Sequence, residues 1–247
     1  MKSYREVIKE RYDGSEREIH PYNNIYSILN PVGFYADKKL RQLFHNAFTF
    51  IRNRNADLTQ FNILDIGCGK GSTTRFFCEL TGNPQNIYGL DLSEHRIQCA
   101  SEINPKINYI VGDIVNPPSF PIKFDVISAL DVFMHLSEKK DIILALCNIN
   151  KQLKNGGYFI WYDAYAADHF KTSPYQDHSG FHPQQMIELA KEAGFKKILE
   201  INLFKKIFGK YHSLYLIKRF PEFMINLLEA ISFGSPGNMM MIFIKST

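Results

Sequence analysis

The stretch Asn62–Phe77, NILDIGCGKGSTTRFF, decides the fold. Its apolar residues end at Ile66, and Gly67, Gly69 and Gly71 follow within five residues. Glycine in such density costs chain entropy, so the backbone there must adopt a turn or a close approach that side chains forbid. Ser72 to Leu80 then takes helical spacing, with Ser72 near the N-cap. Strand, glycine loop and helix in that order form the context of a nucleotide-type cradle.

A G-x-G loop alone suits a nicotinamide or flavin dinucleotide, or S-adenosylmethionine. Two residues separate these ligands. Position 72 is Ser where a dinucleotide site wants Gly or Ala, and Asp65 stands at the strand end, where its charge would repel a pyrophosphate. S-adenosylmethionine carries an ammonium and a sulfonium, so a carboxylate at that place is favourable. Asp91, 22 residues beyond Gly69, ends a second strand and suits two ribose hydroxyls. Asp113, in VGDI, ends a third strand and suits the adenine amine, with Leu92 and Ile114 placed to sandwich the ring.

Outward from this stretch, strands and helices alternate. Strands are expected at 61–66, 86–92, 107–113, 124–130, 158–163, 195–203 and 239–245. Helices are expected at 38–54, 72–80, 94–102, 137–153 (stopped by Gly156-Gly157) and 183–193. This alternation predicts a parallel sheet covered on both faces, with ligands beyond the carboxyl ends of its strands. The expected organisation is an N-terminal helical lid over 1–58, a core over 59–203, and a helical insertion plus final strand over 204–247.

The successive segments ILDIGCGKG, YGLDLS, VGDI, FDVISALDVFMHL and LKNGGYFIWYD resemble, in order and interval, the motifs of class I S-adenosylmethionine-dependent methyltransferases. The resemblance covers roughly residues 60–165. It implies an α/β, doubly wound, Rossmann-like seven-stranded sheet whose last strand is antiparallel. It implies that Asp65, Gly67, Gly69 and Gly71 hold the methionine end of S-adenosylmethionine, Asp91 the ribose, and Asp113 and Ile114 the adenine, with Cys68 and Leu92 also in the cofactor site. Leu130, in the loop after strand four, would pass beside the methyl group.

Candidates for the methyl-transfer chemistry are His135, Asp163 and His178, the last in a loop that also holds His169 and His182. A hydroxyl acceptor needs such a base, whereas an amine only has to be neutral. No metal is expected, because the histidine spacing fits no tight ligand pattern. A looser likeness, in NPVGFYADKKL and DHSGFHPQQMIELAKEAGF, is to methyltransferases of capsule and surface-polysaccharide biosynthesis. It implies O-methylation of a sugar, a nucleotide-linked sugar or a related small polar acceptor. The alternatives are an RNA methyltransferase of the same fold and a non-catalytic S-adenosylmethionine-binding protein.

The remaining features bound the setting. With 29 Lys and Arg against 25 Asp and Glu, the net charge of +4 does not call for nucleic acid. Four scattered cysteines, a charged N-terminal stretch and the lack of any apolar run of spanning length favour a cytoplasmic protein. The basic aromatic stretch 204–220 suits a homodimer contact, an anionic acceptor or weak membrane-surface contact.

Overall fold

The computed structural model describes residues 31–54, 57–136, 138–164, 182–205 and 236–246, with a few single positions elsewhere. The element order is α1 (Pro31–Arg52), β1 (Ile63–Ile66), α2 (Ser72–Thr81), β2 (Ile87–Asp91), α3 (Glu94–Ile103), β3 (Asn108–Val111), β4 (Phe124–Leu130), α4 (Lys139–Gln152), β5 (Leu153–Ala164), α5 (Pro183–Glu192), β6 (Phe195–Lys205) and β7 (Pro236–Lys245). The strands form one seven-stranded sheet in the order β3-β2-β1-β4-β5-β7-β6. The β1–β2, β1–β4, β2–β3 and β4–β5 pairs are parallel, and β7 runs antiparallel to β5 and β6. The strand order reverses between β1 and β4, the switch point at which open α/β sheets bind ligands.

Side chains alternate along each strand, so the sheet has two buried faces. On one, Ile63, Val126, Ile160 and Ile242 meet Phe44, Phe48 and Ile51 of α1 and Phe77 of α2. On the other, Leu64, Ile127, Phe159, Trp161 and Phe243 meet Ile142, Leu146 and Ile149 of α4 and Met186 and Leu189 of α5. Each such fully buried side chain stabilises the fold by about 1.5–3 kcal/mol. The Phe77 ring wedges between Phe44 and Phe48, at 5.0 and 5.4 Å between centroids.

Several boundaries differ from the sequence expectation, whereas α2 begins at Ser72 as expected. α1 begins at Pro31, not at residue 38. Proline is well placed in a first turn because its missing N–H would be unsatisfied there in any case, and burial of Tyr35 at 4% exposure draws that turn into the core. Residues 31–52 of the expected lid are therefore a layer of the core. Gly71, with φ of 78°, is the N-cap of α2, and Ser72 is its first residue. α4 ends at Gln152, and β5 already pairs at Leu153. Gly156-Gly157 does not stop the helix; it belongs to a four-residue bulge, 154–157, between the Phe124–Leu153 and Val126–Tyr158 pairs. The expected helical insertion falls almost wholly outside the described residues.

Candidate functional site

The loop after β1 lies at the switch point. Gly67 N and Cys68 N both donate to Leu90 O of β2, at 2.7 and 3.1 Å. Gly71 N closes the turn onto Cys68 O at 2.8 Å. All three glycines have positive φ: 70°, 52° and 78°. Space is the second constraint. A Cβ on Gly67 would lie 2.4 Å from Val132 Cγ2, and one on Gly71 would lie 2.3 Å from the Tyr109 hydroxyl. A Cβ on Gly69 would meet only Arg96 Nη1, at 3.5 Å. Two of the three glycines are thus required by neighbouring side chains of the protein itself, whereas a Cβ on Gly69 would make only an ordinary contact with Arg96. Cys68 is buried beneath this loop, and burial followed by the charges of Asp65 and Asp91 drives its thiol pKa far up.

Asp91 ends β2 and ties two loops together. Its Oδ2 accepts from Gly69 N at 2.8 Å and its Oδ1 from Ser93 N at 2.9 Å. Each carboxylate oxygen retains capacity for another hydrogen bond, which fits a pair of ribose hydroxyls. Ser93 caps α3: its Oγ accepts from Arg96 N at 3.2 Å and donates to Asp13 of the N-terminal segment. Asp113 Oδ1 accepts from Val115 N at 2.9 Å, which fixes the turn after β3. Leu92 is half-buried, whereas Ile114 is buried in the main core, with Asn148 Nδ2 donating to its carbonyl at 3.0 Å.

Asp65 is placed differently from the expectation of a ligand-facing carboxylate. It is 1% exposed, and Thr74 Oγ1 of α2 donates to its Oδ2 at 2.6 Å. Burial pushes its carboxyl up to about 7, with Asp91 adding to the rise and Thr74 opposing it. Its contact in the structure is with the helix that follows the glycine loop.

The loop after β4 forms the other wall. Leu130 is half-buried at the end of β4. Asp131 has φ of 50°, an uncommon left-handed conformation that Asp tolerates better than most residues. Its N–H donates to Tyr162 O at 2.9 Å. Asp131 is open to solvent. Phe133–His135 then forms a 3-10 turn without a side-chain cap, closed by His135 N donating to Val132 O at 3.0 Å. Val132 of this loop is the residue that abuts Gly67.

Asp163, a candidate for the methyl-transfer chemistry, follows Tyr162 near the end of β5. Successive strand residues point to opposite faces, and the structure separates them: Tyr162 lies in the α1-side core, whereas Asp163 follows Trp161 on the α4 side. Asp163 is 0% exposed, and Trp161 Nε1 donates to its Oδ2 at 2.8 Å. Its Oδ1 has no hydrogen-bond partner among the described residues. Burial and then the Asp131 charge hold its pKa well above the usual carboxylate range.

Of the histidines, His135 sits half-buried beside the glycine loop's wall and His182 is the N-cap of α5. His169 and His178 lie outside the described residues. The residues that sequence reasoning missed are Thr74, Tyr109, Val132 and Trp161. Tyr109 alone had a local signal, since it stands on β3 in register with Gly89 of β2.

The model of a methyltransferase domain family matches residues 63–157. That interval runs from the start of β1 to the bulge in β5. Among curated proteins, a sterol 24-C-methyltransferase of Clavispora lusitaniae is 24% identical over 143 residues, 56% of this chain and 37% of that protein. The chain spans only about a third of the length of such relatives. Among solved structures, magnesium protoporphyrin IX methyltransferase from Synechocystis, with bound S-adenosylhomocysteine, superposes with a TM-score of 0.64 at 12% identity, covering 99% of this chain and 100% of that one. Phosphoethanolamine N-methyltransferase 2 from Haemonchus contortus, in complex with phosphomonomethylethanolamine and S-adenosylhomocysteine, gives 0.66 at 20% identity, covering 100% of this chain and 61% of that one. The sheet, its antiparallel last strand and these likenesses establish the Rossmann-like methyltransferase fold. S-adenosylmethionine is the cofactor this fold serves.

Proposed function

We propose that this chain is an S-adenosylmethionine-dependent methyltransferase acting on a hydroxyl of a small polar acceptor, a sugar or nucleotide-linked sugar of a glycan pathway, with His135 as the base. One observation supports it above the others. The turn that carries His135 is packed directly on the glycine loop, through Val132 against Gly67. A base on that turn stands beside the methionine end of the cofactor. The sulfonium supplies an electrophilic methyl group and a good leaving group. The protein's work is alignment, plus removal of the hydroxyl proton by the His135 imidazole. Asp91 would hold the ribose hydroxyls, and Gly69 would admit the cofactor close to the backbone. Asp131, open to solvent on the same wall, gives that side a polar, acidic character that suits a sugar better than a sterol.

That acidic character also favours a second acceptor, an amine, for which Asp131 would hold the ammonium and no strong base would be needed. Replacing His135 separates the two. His135→Ala is expected to lower turnover on a hydroxyl acceptor by about 10²–10⁴-fold with S-adenosylhomocysteine affinity unchanged. Methyl release screened across nucleotide sugars, small amines and bulk RNA supplies the acceptor. Full activity of His135→Ala removes the base, and release on RNA alone overturns the small-acceptor proposal.

A further inference from the structure

We infer that Thr74 is a positioning residue for S-adenosylmethionine: its hydroxyl, bonded to the Asp65 carboxyl, staples the first turn of α2 to the end of β1 and so sets the shape of the glycine loop between them.

The staple is short and buried. Thr74 Oγ1 donates to Asp65 Oδ2 at 2.6 Å, and the two residues are 0% and 1% exposed. It spans the whole loop. Asp65 is the third residue of β1 and Thr74 the third of α2, and Gly67, Gly69 and Gly71 lie between them with positive φ.

Nothing nearer fixes that junction. Gly71 is the N-cap of α2 and makes no side-chain cap bond, where a Ser, Asp or Asn would satisfy a first-turn amide and hold the entry of the chain. The neighbouring strand does not serve the carboxyl either. Ser128 of β4 is in register with Asp65 and fully buried, yet its Oγ has no hydrogen-bond partner among the described residues. The donor to Asp65 comes from the helix beyond the loop.

The loop has no slack to absorb a shift of α2. Gly71 runs so close to Tyr109 that a Cβ would lie 2.3 Å from its hydroxyl, and Gly67 is as tight against Val132. Between them Gly69 N donates at 2.8 Å to Asp91, the residue proposed to hold the ribose. A first turn released from β1 presses Gly71 on Tyr109 and draws Gly69 from Asp91, so the loss is felt where the cofactor binds. Asp65, nearly without exposed surface, thus acts through the loop, in place of its expected contact with the methionine end.

The test uses the full chain and S-adenosylhomocysteine. Thr74→Val keeps the shape and removes the hydroxyl, whereas Thr74→Ser keeps the hydroxyl. Calorimetry is expected to show binding weakened by about tenfold or more in Thr74→Val and changed by less than about twofold in Thr74→Ser. Amide hydrogen exchange at Gly71 and Arg75, whose N–H groups close the loop and the first turn of α2 at 2.8 and 3.0 Å, is expected to accelerate in Thr74→Val, with Ile127 of β4 unchanged. Wild-type affinity in Thr74→Val overturns the inference even if the melting temperature falls, since that outcome marks a merely structural bond. Equal weakening in Thr74→Ser overturns it as well, because the hydroxyl is then not what matters. If Thr74→Val does not fold, Asp65→Asn/Thr74→Val leaves no charge buried without a donor. It is expected to bind S-adenosylhomocysteine about tenfold more weakly than Asp65→Asn alone, and equal affinity overturns the inference. The staple concerns the cofactor and not the acceptor, so full activity of His135→Ala leaves it standing.

Discussion

The loop after β1 and the loop after β4 face each other across the switch point and are built by opposite means. The first is a backbone object. Its shape rests on positive φ at Gly67, Gly69 and Gly71 and on amides donated to Leu90 O and Asp91. The second is a side-chain object. Its shape rests on a left-handed Asp131, whose N–H donates to Tyr162 O, and on the Phe133 side chain packed against Phe159. The contrast teaches where tolerance to substitution lies. The backbone loop fails on addition of a single carbon, and the carboxyl of Asp65 that precedes it carries the response to pH.

The largest expected effect breaks the backbone loop. Gly67→Ala combines φ of 70° with a Cβ placed 2.4 Å from Val132 Cγ2. The left-handed conformation costs about 1–2 kcal/mol and the overpacking about 1–3 more. Gly82 has the same φ of 70° with nothing within 4 Å of its Cβ. Gly82→Ala is expected to show the conformational cost alone. Thermal unfolding and S-adenosylhomocysteine calorimetry on both variants check the difference. Equal melting temperatures would mean that Val132 does not constrain the loop.

Next in size is Asp91→Ala. It removes the acceptor of Gly69 N and Ser93 N along with the proposed ribose contact. S-adenosylhomocysteine affinity is expected to fall by roughly tenfold or more, at least about 1.4 kcal/mol, with the circular dichroism spectrum unchanged. Unaltered affinity in calorimetry would remove Asp91 from the site.

A third effect concerns charge. Asp65 has its carboxyl pushed up to about 7 in the folded chain, whereas an unfolded Asp titrates near 3.9. The folded state therefore holds this proton more tightly, and the Asp65 contribution to stability declines as pH rises from about 4 through 7. Asp65→Asn keeps an acceptor for Thr74 and has no charge to bury. Its melting temperature is expected to match the wild type near pH 4 and exceed it by an increasing margin up to pH 8, about 2–4 °C for each kcal/mol. A margin independent of pH would show that Asp65 does not titrate there.

The backbone half was legible in the sequence because its determinants are local. Strand, G-x-G-x-G and helix succeed one another within 16 residues, and Asp91 stands at the end of the next strand. The alternation foretold a parallel sheet, and the antiparallel last strand of the seven-stranded sheet is what the resemblance to class I methyltransferases implied. Errors arose where a local signal has two structural meanings. Pro31 and Gly33 are turn formers that also fit a helix once burial of Tyr35 outweighs their cost, and Gly156-Gly157 ends helices in many chains but forms a bulge here.

What the sequence by itself determined is therefore the order of elements, the glycine loop, and the cofactor class that Asp65 and Ser72 favoured. Tertiary structure alone decided the assignments that depend on which side chain meets which. It turned Asp65 toward Thr74, and it set Tyr109 and Val132 into the spaces beside Gly71 and Gly67. It also sent Tyr162 and Asp163 to opposite faces. The physical reason is range. Backbone conformation is set by neighbours in the chain, whereas burial and the pairing of buried charge are set by neighbours in space, here from strands and helices tens of residues apart.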